Sequence, residues 1–495
     1  MPRLTIPEPL LGNLPDAPRA YLVGGAVRDL LMQRHPTDVD IAVDGEAAAF
    51  AGAIADRVGA RVVPIGKPDQ ITYRVTSRDM LIDITDLAGA SLANDLRRRD
   101  FTVNAMAYDL HAHRLIDTLG GREDIAARRI CMVAEQAFVD DPLRLLRAFR
   151  MAAILDFDIA PETLQAIQRH SPRIDQPAGE RLRAELIQLM ACPSSARQIQ
   201  AMSDCGLLTC LVPEMQPMQG CRQNTHHDFD VYEHTLRAYA ATEACLQTAG
   251  HISRALGKRY QQPPYRRTTG AILKYAVLLH DIGKPDTRGV DADGEVHFYG
   301  HAERSANLAE GIHKRLRLSK PECEQARMII ANHGRPLHLL SAHKAENLSR
   351  KGVNRLFREC DPWTPEVLLH ALGDTMGKKK EPDPAIDLAQ HFVQDLLRDY
   401  FERFRPLADR HPLMDGRGLM DHFGLKPSAL IGDLLNALEE ERLAGRINTR
   451  EAALACAAQY LAAQDNPKTD HAQGSRIRIK NPPGQPRRDR QSFSD

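Results

Sequence analysis

A change of hydrophobic period near residue 130 constrains this chain more than any other feature. From Tyr21 to about Ile130, short β-branched runs (YLVGG, DVDIAV, ARVVPIG, ITYRV, MLIDIT) alternate with helical stretches such as AAAFAGAIADRV. That is the pattern of a mixed α/β domain. From about Glu135 onward strand signals nearly vanish, and PLRLLRAFRMAAIL, RLRAELIQLM and ARQIQAMSDCGLL carry apolar residues at helical spacing. The predicted fold is α+β: a mixed α/β head over residues 1–133, then an all-helical body. Glycine and proline clusters at PEMQPMQG, QQPPYRR and KKKEPDP mark seams in the body, dividing it into 134–220, 221–385 and 386–463. The polar, proline-bearing, basic stretch 464–495 reads as a disordered tail, RNA-attracting or merely solubilising.

The 495 residues leave room for about three or four domains, hence for more than one activity. Lys plus Arg and Asp plus Glu both number 65, so an affinity for a polyanion has to come from local clustering. Arg97, Arg98, Arg99, Arg114, Arg122, Arg128, Arg129, Arg144, Arg147 and Arg150 supply such a cluster, either for phosphates or as solvated helix faces. Nine cysteines without a CxxC pair argue against a disulfide framework or a zinc cage and fit a reducing, cytoplasmic setting. The first 25 residues carry prolines and an acid where a signal peptide needs an unbroken apolar core, and no later run reaches membrane-spanning length, so no membrane partner is expected.

Two constellations carry chemistry. In YLVGGAVRDLL a strand runs through Gly24 and Gly25 into a helix bearing Arg28, a junction where backbone N–H groups can approach a phosphate, although many such turns are only tight connections. Next, PTDVDIAV sets Asp38 and Asp40 two apart on an apolar strand, which points both carboxylates to one face. Like charges this close call for a cation, and hard oxygen ligands suit Mg²⁺, which can activate a 3′-hydroxyl and steady departing pyrophosphate. Asp83 in MLIDIT is either a third carboxylate or an outward residue on an edge strand. Arg98, Arg99 and Asp100 form a basic knot ahead of Asn104, and LIDTLGGREDIAARRI is a further turn ending in basic residues. In VDDPLRLLRAFR, Asp141 and Arg144 are predicted on one helix face, as a plain ion pair or as acceptor and donor edges for a nucleobase.

With these motifs in order (GGxVRD, DxD, RRDFTxNAMA, DxxGGxxD, DPxRxLRAxR and ERLRAEL), the chain from about Tyr21 to Glu185 resembles the class II tRNA nucleotidyltransferase and bacterial poly(A) polymerase family. The resemblance implies a polymerase-β-like head in which Asp38 and Asp40 hold catalytic Mg²⁺. It places Gly24, Gly25, Arg28 and Arg99 around the triphosphate of CTP or ATP, with Arg147 also among the nucleotide-binding residues. Asp141 and Arg144 would select the base, and tRNA would be the acceptor. The connection LAGASLAN is short beside the mobile loop of CCA-adding members, which keeps a CC-adding partial enzyme open.

The second constellation is His234, His280, Asp281, His301, His333 and Asp374, a donor set suited to a divalent transition metal or a two-metal centre that activates water. Its order resembles the HD phosphohydrolase superfamily, and the segment after Pro412 resembles the closing tRNA-binding helices of the same nucleotidyltransferases. Rival readings are a poly(A) polymerase, an HD phosphohydrolase with a vestigial head, and a noncatalytic RNA-binding protein. The oligomeric state is left open.

Overall fold

The computed structural model describes residues 18–464 apart from 37, 68–69, 77–80, 88–90, 263–267 and 382. The basic stretch read as a tail lies outside the described residues. The chain divides into two compact units between Arg403 and Phe404, C-terminal to the seam expected at 385, which falls instead inside the helix Pro384–Asp399.

The head is built on a sheet of seven strands: β1 (Ala20–Val23), β2 (Asp38–Val43), β3 (Arg61–Lys67), β4 (Gln70–Thr76), β5 (Leu81–Asp86), β6 (Ala107–Asp109) and β7 (Arg114–Ile116). The order across the sheet is β3-β4-β5-β2-β1-β6-β7. Among the described residues, β2 with β5 is the parallel pair of this sheet and its other pairings are antiparallel. β1 to β5 coincide with the five predicted runs. β5 lies between β4 and β2, which corrects the edge-strand reading of Asp83. One face is apolar: Val39, Ile41, Ile82, Ile84 and Val75 pack with Phe50 and Ile54 from the helix Ala47–Val58. That helix buries Ala47, Phe50, Ala51, Ile54 and Ala55, a stripe at helical spacing, and Gly59 in the left-handed region (φ 63°) ends it. Asp86 at the end of β5 accepts the Ala47 N–H (3.0 Å), tying the helix start to the sheet.

The DTLGGRED turn has a scaffolding task. Asp117 accepts the N–H groups of Gly121 and Arg122 (2.9 Å each), while Asp124 accepts the Thr102 hydroxyl at 2.7 Å. The turn thereby pins the RRDFTVN segment.

Beyond the head the first unit is helical, and among the described residues its strand pairings are the two-residue ones of Arg129–Ile130 with Asp158–Ile159 and Gly289–Val290 with Val296–His297. The helix Gly179–Met190 is the keystone of the neck: Arg181 reaches Asp141, Glu185 accepts from Arg147 and Arg150, and Arg183 reaches Glu322 at the capping box of the helix Lys320–Asn332. Deeper in, the helix Gly270–Leu279 is buried from Ala271 to its end. Val231–Gln247 lies against Thr364–Met376, and a Cβ at Gly373 would fall 2.1 Å from Thr242 Oγ1 and one at Gly377 2.7 Å from the Ala238 nitrogen. Only glycine permits that approach, which brings Asp374 to His234.

The second unit packs the helices Gly416–Phe423, Ala429–Leu443 and Arg450–Gln464 around Leu419, Leu434, Leu438, Ile447 and Ala453. Among the described residues no helix is long and apolar enough to cross a membrane.

Candidate active sites

In the head, strand alternation turns Asp38 and Asp40 away from the core beside buried Val39 and Ile41. Asp83 lies opposite Asp40 in the parallel register, hence on the same face, so the third-carboxylate reading has the required placement. Asp83 is held by Arg74 through two hydrogen bonds of 2.8 and 2.7 Å. Partial burial pushes the Asp40 carboxyl above its ordinary range; Arg99 opposes the shift, and Asp83 and Asp38 reinforce it. These acids repel each other, as groups awaiting a cation should.

Gly24 sits at φ 73°, and a Cβ there would stand 2.8 Å from Arg99 Nη1 and 3.3 Å from Asp40 Oδ2. The glycine turn therefore brings its backbone directly against the acidic face and its counter-cation. Gly25 follows it into the helix Gly25–Leu31. Arg99 is braced by Asp95 (2.9 Å), and Arg28 donates to Asn104 (2.6 Å), which donates to Asp100 (3.1 Å). Asp100 lies 3.6 Å from Arg147, whose Nε donates to Glu185 at 3.0 Å. A polar chain thus runs from the glycine turn to the neck.

Asp141 departs from expectation. It is not on the helix face with Arg144 but extended (φ −145°) ahead of Pro142, and the helix runs Leu143–Leu155. A residue before proline is disfavoured in helical conformation. Asp141 Oδ2 accepts from Arg181 at 2.8 Å instead of pairing with Arg144, whose Nε is buried without a partner. Of the arginine cluster, Arg128 and Arg129 serve in ion pairs with Asp156 and Asp124.

All six histidine and aspartate positions of the second constellation converge. His234, His280, His301 and His333 each direct Nδ1 at a backbone carbonyl, those of Gly377, Val277, Phe298 and Ile330, at 2.7–3.2 Å. A carbonyl only accepts, so each Nδ1 carries a proton and each ring turns its Nε2 inward, as a lone pair wherever the ring is neutral. The inward atoms are close: His234 to Asp374 2.9 Å, His280 to Asp281 3.0 Å, His301 to His333 3.1 Å and His301 to Asp281 3.5 Å. Burial, helped by His280 and His301, pushes His333 down to about 3. Against its burial, His280 is pushed up to about 9 by Asp281. Two imidazole lone pairs facing each other at 3.1 Å, beside the fully buried Asp281 carboxylate, fit a cation between them. Among the described residues, the groups of three donors within 4.8 Å of one another are His234, His280, Asp374 and His280, Asp281, His333. Lys284 lies 2.7 Å from Asp281, and Lys378 3.0 Å from Asp374.

The sequence reading missed His370. It is fully buried, both ring nitrogens lack hydrogen-bond partners, and its ring lies 4.7 Å from that of His280 and 5.2 Å from that of His333. Its signal was its place one helical turn before Asp374 in an apolar run.

A mixed sheet with an acidic face, joined to a helical body that encloses an imidazole and carboxylate cage, defines a nucleotidyltransferase linked to an HD unit. Three family models match in that order: the Poly A polymerase head domain over 20–131, the "Probable RNA and SrmB- binding site of polymerase A" over 156–219, and the HD domain over 231–360. An A-adding tRNA nucleotidyltransferase of Deinococcus radiodurans is 34% identical over 89% of this chain and 95% of its own length. A CC-adding tRNA nucleotidyltransferase of Thermus thermophilus is 31% identical, with coverages of 88% and 92%. A multifunctional CCA protein of Leptothrix cholodnii is 31% identical, with coverages of 70% and 78%. The fold is shared with the Thermotoga maritima CCA-adding enzyme complexed with tRNA (TM-score 0.60, 21% identity, 90% of this chain and 91% of that one). The chain belongs to the tRNA nucleotidyltransferase family and carries that family's HD domain.

Proposed function

We propose that the head adds C or A to the 3′ end of tRNA from CTP or ATP, releasing pyrophosphate. The observation that carries this is the juxtaposition of Asp38, Asp40 and Asp83 on one sheet face with the Gly24 backbone and Arg99. The terminal 3′-hydroxyl attacks the α-phosphorus, the bond to the bridging β-phosphate oxygen breaks, and pyrophosphate leaves. Asp38 and Asp40 would hold Mg²⁺, with Asp83 beside them; bound there, the ion lowers the hydroxyl's pKa and screens the leaving group. Gly24, Gly25, Arg28 and Arg99 receive the triphosphate. Asp141 accepts from the amino group of the incoming base and Arg144 donates to its ring edge; both cytosine and adenine present that pair of groups. Arg147, held by Glu185, keeps this helix in register with the head.

Only residues 87–91 join β5 to the helix beginning at Leu92, and this brevity favours, as a second reading, a partial enzyme that adds two C residues and stops. In the HD unit, His234, His280, Asp281, His301, His333 and Asp374 would hold a divalent transition metal that activates water for phosphoester hydrolysis. All nine cysteines are free thiols, which supports a cytoplasmic setting.

The test is product length: tRNA transcripts ending before the CCA or after CC are given each triphosphate separately, with wild type and Asp40→Ala. Wild type should extend them and Asp40→Ala should not, while filter binding of tRNA stays the same. Extension by Asp40→Ala at the normal rate would remove the metal assignment, and unlimited A tails would establish a poly(A) polymerase.

A further inference from the structure

The hairpin that delivers His301 to the HD centre carries an aromatic arrangement that the metal ligands do not explain. Tyr299 is 78% exposed, the most exposed of the large hydrophobic side chains among the described residues. Its ring stacks on His297, with centroids 4.2 Å apart and planes 24° from parallel. His297 pairs with Gly289 across the hairpin, and a Cβ at Gly289 would fall 2.2 Å from its Cε1. The imidazole therefore occupies the space a side chain at 289 would take, and the phenol stacks on the imidazole. One face of Tyr299 is backed and its body is open to solvent.

Placement supplies the second observation. Gly300, in the left-handed region (φ 78°), turns the chain from Tyr299 into the helix that begins at His301. Two residues of chain span at most about 7 Å, so the platform is within one nucleotide's reach of a metal ligand. Phe298, between the stacked pair, offers its carbonyl to His301 Nδ1 at 2.8 Å, and the Lys284 ammonium lies 5.4 Å from its ring centroid. Arg288 precedes Gly289 and Arg222 contacts it through its carbonyl; both are exposed and add positive charge for a phosphate chain. A rigid aromatic face beside a phosphoester site and exposed guanidinium groups is how proteins seat an unstacked nucleobase.

We propose that Tyr299, backed by His297, is the nucleobase platform of the HD centre, stacking the base of a nucleoside phosphoester whose phosphorus lies at the metal ligands. This rests on the phosphohydrolase reading for its reaction but not for its binding. The shared chemistry is a base one ribose away from the scissile ester, on a free nucleotide or on an RNA 3′ end.

The experiment uses the metal-loaded full chain with three substrates: uridine 2′,3′-cyclic phosphate, a tRNA transcript ending in that group, and the same transcript with an abasic terminal ribose. Tyr299→Ala should raise KM for base-bearing esters by roughly 5- to 150-fold with kcat held. It should leave the abasic ester unchanged, and Tyr299→Phe should behave as wild type. Gly289→Val, which displaces His297 without touching Tyr299, should move KM in the same direction. An effect on both base-bearing substrates identifies the nucleotide as the ligand, and an effect confined to the transcript identifies the RNA end. Independently of turnover, a transcript with terminal 5-iodouridine should photo-crosslink to the peptide containing Tyr299. Crosslinking without hydrolysis under any metal would break the phosphohydrolase reading and leave the platform standing. Hydrolysis with equal KM for base-bearing and abasic esters, or a crosslink elsewhere, would overturn the platform.

Discussion

Replacing Glu185 by glutamine tests how the neck is held. Glu185 is 7% exposed and accepts from Arg147 Nε at 3.0 Å and Arg150 Nε at 2.5 Å. Glutamine keeps the shape, removes the charge and turns a donor toward one of two guanidinium groups. Breaking a buried pair from one side costs about 3–5 kcal/mol. The Arg150 side chain is 17% exposed and that of Arg147 30%, and Arg147 retains Asp100 at 3.6 Å, so the cost should fall to about 2–3 kcal/mol. That raises the population of locally open neck roughly 30- to 150-fold. Native-state hydrogen exchange is the right assay, because it reads the helices Leu143–Leu155 and Gly179–Met190 separately from the rest of a multidomain chain. Arg150→Gln alone should cost less, since Glu185 keeps Arg147, and the double variant should cost less than the sum of the singles by at least about 1 kcal/mol. Unchanged protection of both helices in Glu185→Gln, or simple additivity, would refute the reasoning.

Gly24→Ala should raise KM for CTP or ATP about tenfold or more with the fold retained. The backbone at φ 73° and ψ −140° lies in a region nearly reserved for glycine and costs alanine about 1–3 kcal/mol, and the new methyl displaces Arg99; steady-state titration reads it. Asp281→Asn should lose bound transition metal, by elemental analysis after dialysis, while Mg²⁺-supported nucleotide addition stays intact. Burial pushes His313 down to about 4 from its ordinary 6.5. Between those values the unfolded chain binds a proton the folded chain refuses, so stability falls as pH drops from 6.5 to 4, by up to roughly 3 kcal/mol. His313→Leu should flatten the acid limb of denaturant midpoint against pH, and an unaltered limb would exclude this residue as its source.

Local pattern made much of this molecule readable. Alternation around Val39 and Ile41 was enough to place Asp38 and Asp40 on one face, because that depends on a single strand. Whether β5 was interior or edge depended on β4 crossing to its far side, a non-local fact, so Asp83 stayed ambiguous until the sheet order was known. β6 and β7 are three residues each, too short to show a period. Asp141 was set on the helix by counting from Arg144, whereas the proline between them extends the residue before it. His370 hid inside VLLHALGD because a buried histidine on an apolar helix has no sequence mark that separates packing from chemistry.

The helix Gly179–Met190 answers to two masters. Arg181 and Glu185 steady the residues proposed to read the base, while Arg183 grips the start of the helix that ends at His333. A chain cut at 220 would keep the Arg181 and Glu185 contacts and lose the Arg183–Glu322 pair. The nucleotidyltransferase neck and the HD domain are therefore joint tenants of one rod, and a substitution on it reaches both.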